Sequence, residues 1–374
     1  MFMTGRERLL GVFCHQPVDR IPVAPFIHAN LVREFYGDCN VDVLTRTVDV
    51  YEHFGFDIIH RNCSPAYDSV GPSADGWHVE RLVEVDGRDE TTRTVVHTPK
   101  GDLTEVFRLV WVSEYDVEAT PVEYLVKSEE DLDLLMEFLP RACEIDASGI
   151  GVARRILGDK GITAPWAHGV FNFVTYYYRS LEQVVMDALI NPEFYHRMME
   201  YFLERNTRVC AQYIDAGADV ISYAGNAASG KMVSGGFFRE YILPYEKQLI
   251  DHIQSCGAHV LYHNCGYAKG LFGVYRELGM HAYESLTHPP YGDTILEEAL
   301  QQLGSGVVLS GGLDQIEFLK TARPDEVRAR VKSILDQVRS RGSFILAASD
   351  YFGEQTPYDN LMAFAEAGRE HGRL

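Results

Sequence analysis

The 374-residue chain is long enough for one large barrel-type domain or two ordinary ones, and 46% hydrophobic with 24% charged residues is an ordinary globular composition. A formal net charge of −20, with no basic patch to offset it, argues against nucleic acid and acidic membrane surfaces as partners and leaves a small-molecule substrate open. No apolar run approaches the roughly 18 residues of a membrane span. The N-terminal residues lack an apolar leader, and the seven cysteines are odd in number with no CxxC spacing, so free thiols and a cytoplasmic location are expected.

In chain order, Thr4 is placed to cap a helix over 5–14. Residues 21–26 form a first strand made irregular by Pro22 and Pro25. Helical patterning over 31–36 and 41–54 leads to a strand at 56–60. The stretch 75–125 changes character: 79–85, 90–97 and 103–112 alternate polar and apolar residues, with turn signals at Asp86-Gly87 and at 99–102, which predicts an inserted β-hairpin or meander. Ser128 with Asp131 three residues later opens a helix as a capping box. Strands then follow at 162–166, 220–223, 259–265, 282–284, 307–310 and 344–348. Between and after them come helices at 180–189, 192–216, 237–256 (interrupted near Pro244), 267–278, 294–303, 324–341 and 360–371. Strands separated by helices imply right-handed crossovers and a parallel sheet. About eight strands point to a single (β/α)8 TIM barrel over residues 1–374, with 75–125 inserted. A doubly wound sheet is the competitor, weakened because no GxGxxG follows an early strand.

In such a barrel chemistry gathers past the C-terminal ends of the strands, and the polar residues collect there. His263 and Cys265, two apart at a strand end, point to one face and are the ligand types zinc accepts most readily; a buried His beside a buried Cys is the ordinary alternative. Glu284 ends the next strand and Asp350 the last, so four side chains could meet around one metal. Glu284 otherwise needs an ion-pair partner, being a carboxylate in an apolar strand. Asp350 has three roles open to it: ligand, acceptor orienting His263, or substrate-binding acid, with Ser349 as a rival ligand. His168 is a candidate base or oriented donor, with a satisfied structural His as the alternative, and Asn226 is a candidate substrate contact or a loop-stabilising residue. Arg61 is the one basic residue placed at an early strand end.

Several stretches carry a family resemblance: residues 6–10 through 19–23, the run 238–245, His263-Asn264-Cys265-Gly266, Gly311-Gly312-Leu313-Asp314, and 356–361. Together they make the chain similar to the uroporphyrinogen decarboxylase superfamily, and within it to the cobalamin-associated methyltransferases more than to the decarboxylase proper. The resemblance implies a TIM barrel. It also implies zinc held by His-x-Cys and a later Cys, in some relatives with an intervening Glu, roles that fall on His263, Cys265 and Glu284. No Cys stands in 347–350, and Asp350 is the fourth-ligand candidate there. A carboxylate in place of a thiolate makes a harder Lewis acid, suited to polarising an ether oxygen of an O-methyl substrate.

The activity implied is methyl transfer between a small substrate and a corrinoid cofactor carried by a separate corrinoid-binding protein. The alternatives are a metal-free decarboxylase of a small or tetrapyrrole acid and a non-catalytic metal-binding relative. A tetrapyrrole with many carboxylates needs an arginine cluster, and residues 25–30 contain none. Three roles are open to the 75–125 insertion: covering the barrel mouth, docking the corrinoid protein, or forming a homodimer contact.

Overall fold

The computed structural model describes residues 3–140, 145–340 and 343–374; Met1, Phe2, Cys143 and the last residue of the expected 324–341 helix lie outside them. The strands in chain order are β1 (Ile58–His60), β2 (His78–Asp86), β3 (Asp89–Thr98), β4 (Gly101–Trp111), β5 (Val117–Glu123), β6 (Gly161–Thr163), β7 (Trp166–His168), β8 (Val220–Ala224), β9 (His259–His263), β10 (Ala282–Glu284), β11 (Val308–Leu313) and β12 (Phe344–Ala348). Strands β7 to β12 form one sheet in the order β12-β11-β10-β9-β8-β7, and β1 pairs with β6. All these pairings are parallel, and helices lie between most successive strands from β7 onward.

Pro165 splits the strand expected at 162–166 into β6 and β7, because it cannot donate to a ladder. Backbone bonds continue past the break: Ala164 N–H donates to His60 O (2.9 Å) and Ser222 N–H to Pro165 O (3.0 Å). Residues 21–26, with two prolines, make only a parallel bridge from Val23 to Leu346. Leu346 N–H donates to Pro22 O (2.9 Å), Ala24 N–H to Leu346 O (3.0 Å), and Asp57 N–H to Val23 O (2.8 Å). This segment therefore bonds to β12 on one side and to the residue before β1 on the other.

One apolar cluster draws on every parallel strand except β7: Ala24, Ile59, Ile162, Ala164, Val220, Leu261, Ala282, Val308 and Ile345, all fully buried. The helix Gly5–Phe13 inserts Leu9, Val12 and Phe13 into it. That helix starts at a capping box in which Thr4 accepts from Glu7 N–H while Glu7 accepts from Thr4 N–H. A larger cluster packs the outer helices on the other face of the strands. The helix expected at 237–256 is a π-turn, Phe238–Ile242, running into Leu243–Ser255. Pro244 has no N–H for the regular i−4 bond, which accounts for the irregular turn just ahead of it.

Strands β2 to β5 form a separate antiparallel sheet in sequence order. Three of its strands follow the polar–apolar alternation; the fourth, β5, is an edge strand containing Pro121, which breaks the sequence signal without breaking an edge. Val96 and Leu103, partners across β3 and β4, are buried on one side of the sheet, while Leu82, Val83 and Val85 of β2 are exposed. Among the described residues no helix is long and apolar enough to cross a membrane.

Candidate metal centre

Strand β9 ends at His263, two residues earlier than expected, so Cys265 sits in the turn that follows. The turn is pinned. The buried Asn264 side chain donates to Ala228 O (3.3 Å) and its backbone carbonyl accepts from the Tyr283 hydroxyl (3.0 Å). Gly266, at φ +88°, donates its N–H to Thr287 Oγ1 (3.1 Å). Only glycine adopts that backbone without strain, which is the physical content of the His-x-Cys-Gly pattern.

His263, Cys265 and Asp350 each offer a ligand atom, and these three atoms lie within 4.8 Å of one another. His263 Nε2 and Asp350 Oδ2 are 3.9 Å apart, too far for a hydrogen bond. Two such ligands on one zinc lie roughly 3.3–3.6 Å apart, from metal–ligand distances of about 2.0–2.3 Å. Imidazole, thiolate and carboxylate at this spacing fit the ion. Ser349, the rival of Asp350, donates its hydroxyl to Leu286 O (2.9 Å) and Leu313 O (3.2 Å), so it serves the backbone.

Glu284 lies elsewhere than a fourth ligand would. Both its oxygens accept from Arg61, at 2.7 and 2.6 Å, and Oε1 also faces His263 Nδ1 at 3.0 Å. It therefore stands behind the imidazole, opposite the Nε2 face that meets Asp350. Burial alone would raise the Glu284 pKa, but the Arg61 charge and the His263 contact bring it down to about 2, so it is ionised. An ionised acceptor at Nδ1 keeps a proton there and leaves Nε2 as the nitrogen turned toward Asp350. For His263 itself burial acts to lower the pKa, and hydrogen bonds to Cys265 and Glu284 with the nearby Asp350 charge outweigh it, holding it well above the usual value. Arg61 is 2% exposed, with its guanidinium 4.6 Å from the Phe26 ring and 5.4 Å from the Trp166 ring. Trp166 meets His263 edge-on at 5.3 Å.

His168 shares the register of this layer: it pairs with Ala224, Ala224 with His263, and His263 with Glu284. Parallel partners project to the same face of a sheet, so His168 and His263 flank the small Ala224. Asn172 Oδ1 accepts from Ala227 N–H (2.8 Å), so its Nδ2 donates to His168 Nδ1 (2.6 Å) and the imidazole proton resides on Nε2. Burial lowers the His168 pKa to about 4, which keeps the ring neutral. A cavity of about 120 Å³, lined in part by Trp166, His168, Phe173 and Tyr177, lies beside it. Asn226 is exposed on a short 3-10 turn, Asn226–Ala228, next to the Ala227 N–H that Asn172 holds.

The loop between β4 and β5 reaches the chain just past Asp350. Tyr351 donates its hydroxyl to Asp116 Oδ2 (3.3 Å), Tyr115 N–H donates to Glu354 Oε1 (2.7 Å), and Asp116 lies 3.9 Å from His28. The sequence places Arg61 at an early strand end without its partner, and carries no signal for Asp116. A buried charge or amide signals that it needs a partner but not which one.

Comparison with known proteins supplies a family and a shared fold. A family model described as uroporphyrinogen decarboxylase (URO-D) matches residues 122–371. The methylcobamide:CoM methyltransferase MtbA of Methanosarcina mazei is 22% identical, with 98% of each chain covered. A uroporphyrinogen decarboxylase of Prochlorococcus marinus is 24% identical over 60% of this chain and 61% of its own. Among solved structures, a methyltransferase from Methanosarcina mazei superposes with a TM-score of 0.72 at 16% identity, covering 98% of this chain and 99% of that one, which shows a shared fold.

Proposed function

This chain belongs to the uroporphyrinogen decarboxylase (URO-D) family, and from that premise we propose that it is a zinc-dependent methyltransferase moving a methyl group between a small substrate and a corrinoid on a partner protein. The observation that carries the reading is the convergence of His263, Cys265 and Asp350 within 4.8 Å just past the strand ends. The whole-length similarity to a methylcobamide:CoM methyltransferase supports the corrinoid link. We infer that β1, β6/β7 and β8 to β12 close through residues 22–24 as a single (β/α)8 barrel over the whole chain. The hydrogen bonds on both sides of Val23 and the one continuous interior cluster support closure.

In this reading His263, Cys265 and Asp350 hold the zinc, which supplies Lewis acidity toward a heteroatom of the substrate. Glu284 fixes the His263 tautomer. His168, neutral with its proton on Nε2, donates a hydrogen bond to a substrate acceptor over Ala224. Phe26 and Trp166 keep water from the Arg61–Glu284 pair. The β4–β5 loop covers the mouth, a role supported by its contacts to Tyr351 and Glu354.

Decarboxylation is the second reading, favoured by the similarity to uroporphyrinogen decarboxylases. It is disfavoured by charge: Arg61 is already bidentate on Glu284, and the mouth presents Asp116 and Asp350, which repel a polycarboxylate. The test is metal analysis of protein purified without chelator, together with methyl transfer followed by the corrinoid absorbance change. One zinc per chain, with transfer lost in Cys265→Ala, is the expected result. Absence of stoichiometric zinc before and after reconstitution would overturn the reading.

A further inference from the structure

We propose that Arg61 is a positioning residue that withholds Glu284 from the metal, so that this chain presents a three-ligand centre of His263, Cys265 and Asp350. The inference deepens the zinc reading above and rests on it. Three observations lead to it.

The first is occupancy. The guanidinium takes both carboxylate oxygens of Glu284 at 2.7 and 2.6 Å, and Oε1 carries His263 Nδ1 as well. A carboxylate held as a fork is fixed in plane and direction. Turning it toward the Nε2 side would break both arginine bonds and the imidazole bond.

The second is that Arg61 has nowhere else to go. It lies at the end of β1 with 2% exposure, against Phe26 and Trp166, and its Nε is buried with no acceptor. Leaving a guanidinium buried without its counter-ion is costly, so the pair moves together or not at all.

The third is charge. With Glu284 excluded, a divalent ion meets two anionic ligands, the Cys265 thiolate and Asp350, and the centre is neutral. With Glu284 included it would carry one negative charge in a buried site and leave Arg61 uncompensated. The pairing observed keeps both the centre and the Arg61–Glu284 pair neutral, which is the cheaper arrangement away from water. It also keeps the metal more electrophilic than a third anionic ligand would.

The experiment uses the full chain, stripped of metal and titrated with Co(II) as a spectroscopic probe and with Zn(II) against a chromophoric chelator. Glu284→Gln is expected to keep the wild-type cobalt bands, both sulfur-to-metal and d–d, while zinc affinity falls roughly 10–100-fold, the usual effect of losing an orienting partner. Arg61→Met is expected to release Glu284 onto the metal, weakening the d–d bands toward higher coordination. The double variant Arg61→Met/Glu284→Gln should return the wild-type bands, a rescue that a merely structural arginine would not produce. If Arg61→Met does not fold, Arg61→Lys replaces it, since a point charge holds one oxygen and frees the other.

The proposal is overturned if Glu284→Gln alone changes the d–d bands by loss of a ligand, or if freeing Glu284 leaves them as in wild type. Failure of the wild-type protein to bind either ion overturns the zinc reading itself and takes this inference with it. A protein that binds both ions but fails the variant tests overturns only the inference.

Discussion

Two buried carboxylates, Asp57 before β1 and Glu284 at the end of β10, are each gripped by arginine, and their surroundings are completed differently. Asp57 accepts from Arg8 (2.8 Å), from Arg20 (2.7 and 2.9 Å) and from Val23 N–H (2.8 Å). Arg8 in turn holds Asp19 (2.7 Å), so two cations face two anions beside the helix that plugs the interior. At the other end Arg61 and Glu284 also balance, and beyond them His263, Cys265 and Asp350 converge within 4.8 Å. The first network is closed and belongs to stability. The second is open toward the strand ends, with three donor atoms at a spacing that suits a divalent ion. In a parallel barrel this division is expected, because the two ends of the strands carry different duties.

The largest effect should come from breaking the closed network. Asp57→Ala leaves the buried Arg8 and the half-buried Arg20 without their shared partner and is expected to cost about 3–5 kcal/mol of unfolding free energy. Zinc uptake per folded chain should be unchanged. Denaturant unfolding and metal analysis on one preparation check both halves, and loss of metal from the folded variant would erase the distinction between the two ends. The converse substitution is Cys265→Ser. Cys265 is partly exposed, so unfolding should shift by less than about 1 kcal/mol. The cobalt charge-transfer band should vanish in that variant.

A smaller effect is expected at His168, which extends the open end across Ala224. Removing the Nε2 donor in His168→Phe should raise KM about tenfold, as for a lost hydrogen bond of roughly 1.5 kcal/mol, with zinc content unchanged. Asn172→Leu, which releases the tautomer without touching the ring, should follow it in direction. An unchanged KM in both would return His168 to the satisfied structural role that the sequence left open.

Much of this division was legible in the sequence because it follows from local rules. The apolar strands at regular intervals gave the parallel α/β organisation. His263-x-Cys265-Gly266 is a spacing that places two candidate ligands and a required glycine within four positions. Asp350 stood out as a charge at a strand end. What was not legible is pairing at a distance. Glu284 announced that it needed a partner, and both a metal and Arg61, 223 residues away in the chain, satisfy that need equally well on paper. The same holds for Asn172, whose role depends on an amide N–H at Ala227, and for β5, where Pro121 masks an edge strand. Local pattern sets where polar groups gather; only the folded chain sets which of them are already engaged.

The smallest expected effect tests how closed the closed network is. Hydrogen bonding to Arg8 holds the Asp19 carboxyl at about 2, below its ordinary 3.8, against a burial effect in the other direction. A carboxyl with a depressed folded pKa contributes stability that is fully present above the unfolded value and lost as pH falls through the folded one. The window is therefore pH 4 down to pH 2, and the contribution is about 1 kcal/mol, less than the shift alone implies because water still reaches this side chain. Asp19→Asn should flatten that part of the stability–pH curve and leave the region above pH 5 parallel to wild type. If the variant instead loses stability equally at all pH values, Asp19 acts through shape and hydrogen bonding alone, and the two-cation, two-anion balance is not what completes the Asp57 network.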